Sequence, residues 1–394
     1  MNLILIDNEK TWKSLLPLTY TRPVAEIRIG ILTIREKWEK QLKTTASHSC
    51  REYLSTRFPI AFKIGKPNLF IASNVLPDAK LIAAVKKLKS GQGLKKDNTI
   101  IAHCGMETFL PPDLNSCSAY AGDVLMIENV WDIFSKNGEA LKADFELLTK
   151  GRKSAALSKS NSIVGKKNLI FLEKGAKAEA ATFNTNNGPI YIGKNAEVME
   201  GSLVRGPFAL CDDSTLKLGA KIYGPTTIGP HSKVGGEINN SVVFGYSNKA
   251  HDGFLGNSVV GEWCNLGADS NNSNLKNNYG DVKLFSYETS GYKNTGLQFC
   301  GLIMGDHSKC GINTMFNTGT VVGVGANIFG GGFPPTHIPG FAWGGAEGFD
   351  TYRLEKMFET TERVYSRRHK TLEADEKKIL ETIFRETTIY REWE

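Results

Sequence analysis

The seven cysteines of this 394-residue chain form no C-x-x-C pair. An odd number at such spacing argues against a disulfide framework and a structural zinc centre, and predicts thiols kept reduced in a cytoplasm. No apolar run approaches the ~18 residues that a membrane span needs. The opening residues Met1 to Asp7 hold no basic leader and meet a charge after Leu3-Ile4-Leu5-Ile6, which predicts a first strand rather than a signal peptide. Basic charge is not concentrated either. The net +7 is scattered except between Lys150 and Lys167, where no aromatic residue is interleaved with the cations. That composition argues against nucleic-acid binding and predicts a solvated linker, with anionic small molecules as the next reading.

Glycine is abundant, 40 residues clustered in the second half, and points to a turn-rich architecture. The length exceeds one ordinary core and predicts two or three units. Up to about residue 150, strand-like runs (Leu3 to Ile6, Leu69 to Ala72, Thr99 to Ala102, Val124 to Ile127) alternate with helical patterns (Leu81 to Leu88, Trp131 to Leu148), the mark of an α/β domain. Residues 151–185 read as a linker with edge strands, 186–343 as a repeat domain and 344–394 as a helical tail. In that tail the Leu372, Ile379, Ile383 stripe reads as a packing face, expected to cover the open end of the repeat.

The repeat is a hexad. Aliphatic residues recur every six positions at Ile192, Val198, Val204, Leu210, Leu216, Ile222, Ile228 and Val234, and the period returns at Met304, Cys310, Phe316, Val322 and Ile328. With 41% apolar residues, the first run alone has a chance of roughly half a percent once all six phases are allowed, so it is a repeat. One short strand and one corner per hexad, three hexads per coil, predict a left-handed parallel β-helix from about Ile190 to Ile328, with the aliphatic side chains inside and coils about 4.8 Å apart. Glycine follows the apolar position in Ile192-Gly193, Ile228-Gly229 and Val234-Gly235, where a corner needs tight backbone. The period breaks between Val234 and Leu255, and again in an excursion rich in Asn, Gly and Tyr from Asn271 to Cys300. Insertions in a solenoid collect on one face, often the binding face.

An α/β domain followed by a hexapeptide β-helix resembles the bifunctional bacterial enzymes that acetylate glucosamine 1-phosphate and couple the product to UTP. The sharpest segment runs Lys249-Ala250-His251-Asp252-Gly253-Phe254-Leu255-Gly256, then Val260 to Ala268, then Asn278-Tyr279-Gly280-Asp281 and Lys283. The resemblance implies that His251 is the general base that takes the amine proton as the amine attacks acetyl-CoA, a task suited to imidazole. It implies that Asn265 contacts substrate or acetyl group, that Asn278, Tyr279 and Lys283 line the same cleft, and that the chain is a homotrimer. The family's tyrosine three positions after the histidine is Phe254 here, and its upstream basic pair falls on Tyr223 and Asn239, which leaves the acceptor sugar open.

Leu16 to Val24 (Leu-Pro-Leu-Thr-Tyr-Thr-Arg-Pro-Val) resembles the opening of sugar-nucleotide pyrophosphorylases. That resemblance implies phosphate contacts from Lys10, Lys13 and Arg22, and a Mg2+ carboxylate at Asp123, with a nucleoside triphosphate as substrate. The family's Gly-rich loop is here Asp7 to Lys13 without a glycine, so backbone amides cannot wrap phosphates in the usual way, and a structural remnant stands beside the active reading. The leading expectation is an acetyl-CoA-dependent transferase acting on an amino sugar or its phosphate, a small-molecule partner. A nucleotidyltransferase whose β-helix only oligomerises, and a non-catalytic sugar-phosphate sensor or scaffold, are the alternatives.

Overall fold

The computed structural model describes residues 2–106 and 112–393, which fall into two compact units. The first takes in residues 2–15, 21–27 and 32–129, and the second residues 16–20, 28–31 and 130–393.

The first unit carries β1 (Asn2–Ile6), β2 (Ala46–Ser49), β3 (Asn68–Ala72), β4 (Gly93–Lys96), β5 (Thr99–Gly105) and β6 (Ser118–Ala119), with helices α1 (Glu9–Ser14), α2 (Ile34–Leu42) and α3 (Ala79–Val85). They form one sheet in the order β2-β1-β3-β5-β4-β6. β1 runs parallel to β2 and β3, and β5 is antiparallel to β3 and β4. Each helix starts at a residue able to accept from its first turn. Asn8 accepts from the Thr11 amide at 2.8 Å, Asp78 from the Leu81 amide at 2.6 Å, and Thr33 with Glu36 completes a capping box. The expected strand from Val124 to Ile127 is not one. The amides of Leu76 and Ile127 bond the carbonyls of Leu125 and Asn74, so this run pairs with the loop after β3 through a single bridge, Val75 to Met126, and not with a strand of the sheet.

The second unit opens with α4 (Asp132–Ser135) and α5 (Asn137–Thr149) and continues as a three-faced parallel β-solenoid. Call its faces 1, 2 and 3 in chain order. Face 1 begins at Ser162–Val164, face 2 at Ile170–Leu172 and face 3 at Lys177–Ala178, and nine strands stack on face 2. All thirteen hexad positions named above lie in the solenoid interior. The strands of the solenoid begin within residues 151–185, the span expected to be a linker with edge strands. Its first two 1/2 corners are long, so Phe183 and Ile192 are nine residues apart and the six-residue period is masked there.

Coil length explains the first break in the period. Ile192, Leu210 and Ile228 stack at intervals of 18, but Ile228 stacks on Val243 and Val243 on Val260, intervals of 15 and 17. The 3/1 corner has four residues at 217–220 and only two, Gly235-Gly236, one coil later. Glycine at the 2/3 corner answers to coil spacing. A Cβ on Gly229 would sit 1.9 Å from the Phe244 carbonyl oxygen. The left-handed position of that corner is held mostly by other residues, Asn195, Asp213, His231, Tyr246, Trp263 and His307, all at φ between 53° and 62°.

The tail forms α6 (Leu354–Ser366) and α7 (Ala374–Glu386). Leu372, Ile379 and Ile383 are buried, as their spacing predicts. The helices do not simply cover the open end. They run along the 2/3 corner, where Tyr246 stacks on Trp263 and Tyr365 packs on Trp263 with its ring tilted by 37°, each pair with centroids 4.1 Å apart. Arg368 donates to the His231 carbonyl at 3.1 Å, and Phe384 meets Phe341 edge-on. The outward aromatic side chains of that corner offer apolar area for the helices, and the end of the tail also meets the terminal hairpin Ala342–Gly345/Gly348–Thr351, where Trp393 packs on Phe349. Face 2 is covered too. Thr227 donates to the Gly30 carbonyl at 2.9 Å, and the Gly30 amide donates to Asn137 at 2.7 Å. No helix among the described residues is long and apolar enough to cross a membrane.

Candidate active site

The two-residue 3/1 corner leaves a groove of about 600 Å3 between its longer neighbours. Gly235 and Gly236 form the floor, Lys217 and Leu218 one wall, and Ala250, His251, Asp252, Ala268 and Asp269 the other. The break in the sequence period is therefore the opening of the groove. His251 stands on the corner that follows Asn248–Lys249 and precedes Phe254–Gly256, with its imidazole exposed. One cationic side chain, two carboxylates and an imidazole thus share a slot whose remaining lining is glycine, alanine and one leucine.

The other residues named from sequence fall elsewhere around the coil. Asn265 points outward from face 3, exposed, on the strand beside Asn248 and Lys309. The excursion leaves from the 1/2 corner. There Asn278 is exposed and accepts from the Gly280 amide at 3.0 Å, while Tyr279 is 67% exposed. Lys283 opens the hairpin Lys283–Ser286/Gly291–Asn294 opposite Asn294. The hairpin is anchored by buried Val282 and Leu284, and by Phe285 stacked on His337 at 3.5 Å. Within one chain the groove lining contains His251 but none of Asn265, Asn278, Tyr279 or Lys283.

Lys249 belongs to the same sequence motif as His251. It occupies an inward hexad position, stacked on Val234, and is 2% exposed. Burial pushes its amine down to about 8. The sequence signal was available: Val243, Lys249 and Leu255 continue the six-residue spacing, with a lysine where an aliphatic residue belongs.

In the first unit, charged residues gather near the C-terminal ends of β1 and β2. Burial above all raises the Asp7 carboxyl to about 6, although hydrogen bonds from Ser73 and the Val24 amide pull the other way. Burial also opposes ionisation of Glu26, yet hydrogen bonds from His48 at 2.9 Å and Arg35 at 2.5 Å hold it down to about 2. Arg22 is buried. Lys10 is exposed on α1, and Lys13 is tied to Glu9 at 3.0 Å. Asp123 is exposed, and among the described residues no three His, Cys, Asp or Glu side chains are placed to hold a metal ion.

Residues 3–153 match the sugar nucleotidyl transferase family. No curated protein matches the chain in sequence. Solved structures similar to part of it include the Arabidopsis UDP-N-acetylglucosamine acyltransferase, 17% identical over 52% of this chain and 77% of that one with a TM-score of 0.24. A variant of AntD, an N-acyltransferase from Bacillus cereus solved with dTDP and coenzyme A, is 14% identical over 52% and 91%, with a TM-score of 0.23. The UDP-N-acetylglucosamine acyltransferase of Campylobacter jejuni is 14% identical over 57% and 95%, with a TM-score of 0.18.

Proposed function

We propose that this chain is a sugar-related transferase that moves the acetyl group of acetyl-CoA to the amine of an amino sugar or amino-sugar phosphate in the groove of the shortened corner. The observation that carries the reading is the exposed His251 beside Lys217, Asp252 and Asp269 on a glycine floor. Asp252 and Asp269 suit the ammonium form of an incoming amino sugar, and Lys217 suits its phosphate. The bound ammonium first gives one proton to water, which frees the lone pair of the amine, and His251 takes a second proton from the attacking nitrogen as the N–C bond forms. The C–S bond then breaks, and coenzyme A leaves as the thiol with a proton returned from the imidazole. The same reading includes a homotrimer, supported by Leu203, Tyr223 and Met315 standing 53%, 40% and 39% exposed on face 1.

The test is thiol release from acetyl-CoA with a panel of amino sugars and their 1-phosphates. Wild type should turn over at least one acceptor, and His251→Ala should lose at least ~100-fold in kcat, the scale of a general base. Thiol release that is the same in both proteins would remove His251 from the reaction. Silence of wild type with every acceptor would refute the acetyl-transfer reading.

The match of residues 3–153 supports a second activity in the first unit, transfer of a nucleotidyl group to a sugar phosphate. Lys10, Lys13 and Arg22 are the phosphate contacts of that reading, and Asp123 would meet a metal only as part of a metal–nucleotide complex. Pyrophosphate release from a nucleoside triphosphate, Mg2+ and a sugar 1-phosphate tests it independently of thiol release.

A further inference from the structure

The interior row of face 3 reads Leu216, Val234, Lys249, Leu266, so one ammonium sits in an aliphatic prism. A charge placed there costs several kcal/mol unless its protons are bonded. Lys249 meets the requirement by reaching back to its own corner. Nζ donates to the His251 carbonyl at 2.6 Å and to the Asp252 carbonyl at 2.7 Å.

Two of the other four-residue 3/1 corners close with a backbone turn bond, whereas 199–202 and 311–314 show none among the described residues. At 217–220 the Ala220 amide bonds the Lys217 carbonyl at 3.2 Å, and at 267–270 the Ser270 amide bonds the Gly267 carbonyl at 3.3 Å. The corner between them, 250–253, has no such turn bond among the described residues. Its last residue, Gly253, has a φ of 112°. The Asp252 carbonyl also accepts from the Asp269 amide of the next coil at 3.0 Å, whereas among the described residues no backbone amide donates to the His251 carbonyl. An inward carbonyl without a donor is a penalty that folded chains avoid.

We infer that Lys249 is a positioning residue for His251: from inside the solenoid it replaces the turn bond that this corner lacks and fixes the direction in which the imidazole leaves the backbone toward the groove. The inference rests on His251 being the base of the proposed transfer. Lys249 touches no substrate, because its amine is spent on the two carbonyls. Without it the peptide between His251 and Asp252 is free to rotate, and misplacement of a reacting group by about 1 Å can cost a rate factor of ~100.

The test compares wild type, Lys249→Met and Lys249→Gln. Methionine keeps the length and suits an apolar interior, so the variant should fold with a melting temperature near that of wild type. Glutamine restores a neutral donor. Two readouts are taken, hydrogen exchange of the Asp269 amide, and kcat with KM in the thiol-release assay. In Lys249→Met, exchange at Asp269 should quicken ~10-fold or more while the Ala220 amide, on the same edge two coils from the corner of Lys249, stays as in wild type. The same variant should lose at least ~10-fold in kcat with KM little changed, and Lys249→Gln should recover part of the loss, a ranking opposite to that of a space-filling role. Exchange at Asp269 that is unchanged in Lys249→Met overturns the inference whatever the activities. Quickened exchange with unaltered kcat overturns the positioning role. A fall in kcat for Lys249→Met alongside full activity of His251→Ala would instead overturn the reading of His251.

Discussion

The ring of His337 offers a quantitative check on the electrostatics of the solenoid unit. It lies on Phe285 with centroids 3.5 Å apart and planes 8° from parallel, and its Nε2 is buried without a hydrogen-bond partner. Burial pushes its pKa down to about 4. In the unfolded chain a histidine titrates near ~6.5, so between those two values the unfolded form binds a proton that the folded form refuses. The stability associated with the neutral ring is whole above the unfolded value and is lost as the pH falls through the window toward 4. Between pH 7 and pH 5 the loss works out to about 2 kcal/mol. His337→Phe keeps an aromatic ring on Phe285 and removes the titration. Urea unfolding of both proteins at the two pH values, with the two units fitted as separate transitions, should show wild type losing about 2 kcal/mol more than the variant in the solenoid transition. Losses that agree within about 0.5 kcal/mol would refute the reasoning, because the ring would then be accepting its proton without unfolding.

The first unit has its own counterpart: His103 is stacked on Phe70 at 4.6 Å with its pKa pushed down to about 4 by burial, so His103→Phe should relieve the acid loss of the other transition. Leu210→Ala empties a fully buried position of the solenoid and should cost about 3 to 5 kcal/mol, measured as a drop in urea midpoint. Gly229→Ala drives a methyl into the Phe244 carbonyl oxygen and should cost about 3 kcal/mol or more, although it adds a single carbon. Trp263→Ala removes the ring between Tyr246 and Tyr365, and trypsin should then cut between α6 and α7 at least ~10-fold faster, with the solenoid core still resistant.

The interior of the solenoid was legible because it is written locally: each inward residue is followed by another six positions on, and Ile192 through Val234 lie where that spacing puts them. The first coils were hidden by corners three residues longer, which move Phe183 and Ile192 out of step. Val124 to Ile127 differs from its expected strand because a strand-like composition does not reveal which partner the run meets, here the loop after β3. The groove was visible only as a lost beat at Gly235-Gly236, and the inward amine of Lys249 only as an exception to the residue type. The docking of the tail was not legible at all. It depends on Tyr365 reaching Trp263, a hundred residues away along the chain, and nothing in the helical stripe names that partner.

The shortened corner has a consequence for how such a protein changes over time. The β-ladders on either side of Gly235-Gly236 stay in register, Lys221 beside Glu237 and Val234 beside Lys249, although the connection between them has lost half its usual length. Strand pairing and connection length are thus decoupled: the rungs hold the molecule together while the bends can be edited. A cleft arises here by subtraction, with no side chain having to be carved away. A duplicated or deleted pair of residues at another coil would move the opening along the edge in steps of one rung, about 4.8 Å at a time. Length changes that would wreck a close-packed domain become, in this architecture, a means of relocating a binding slot.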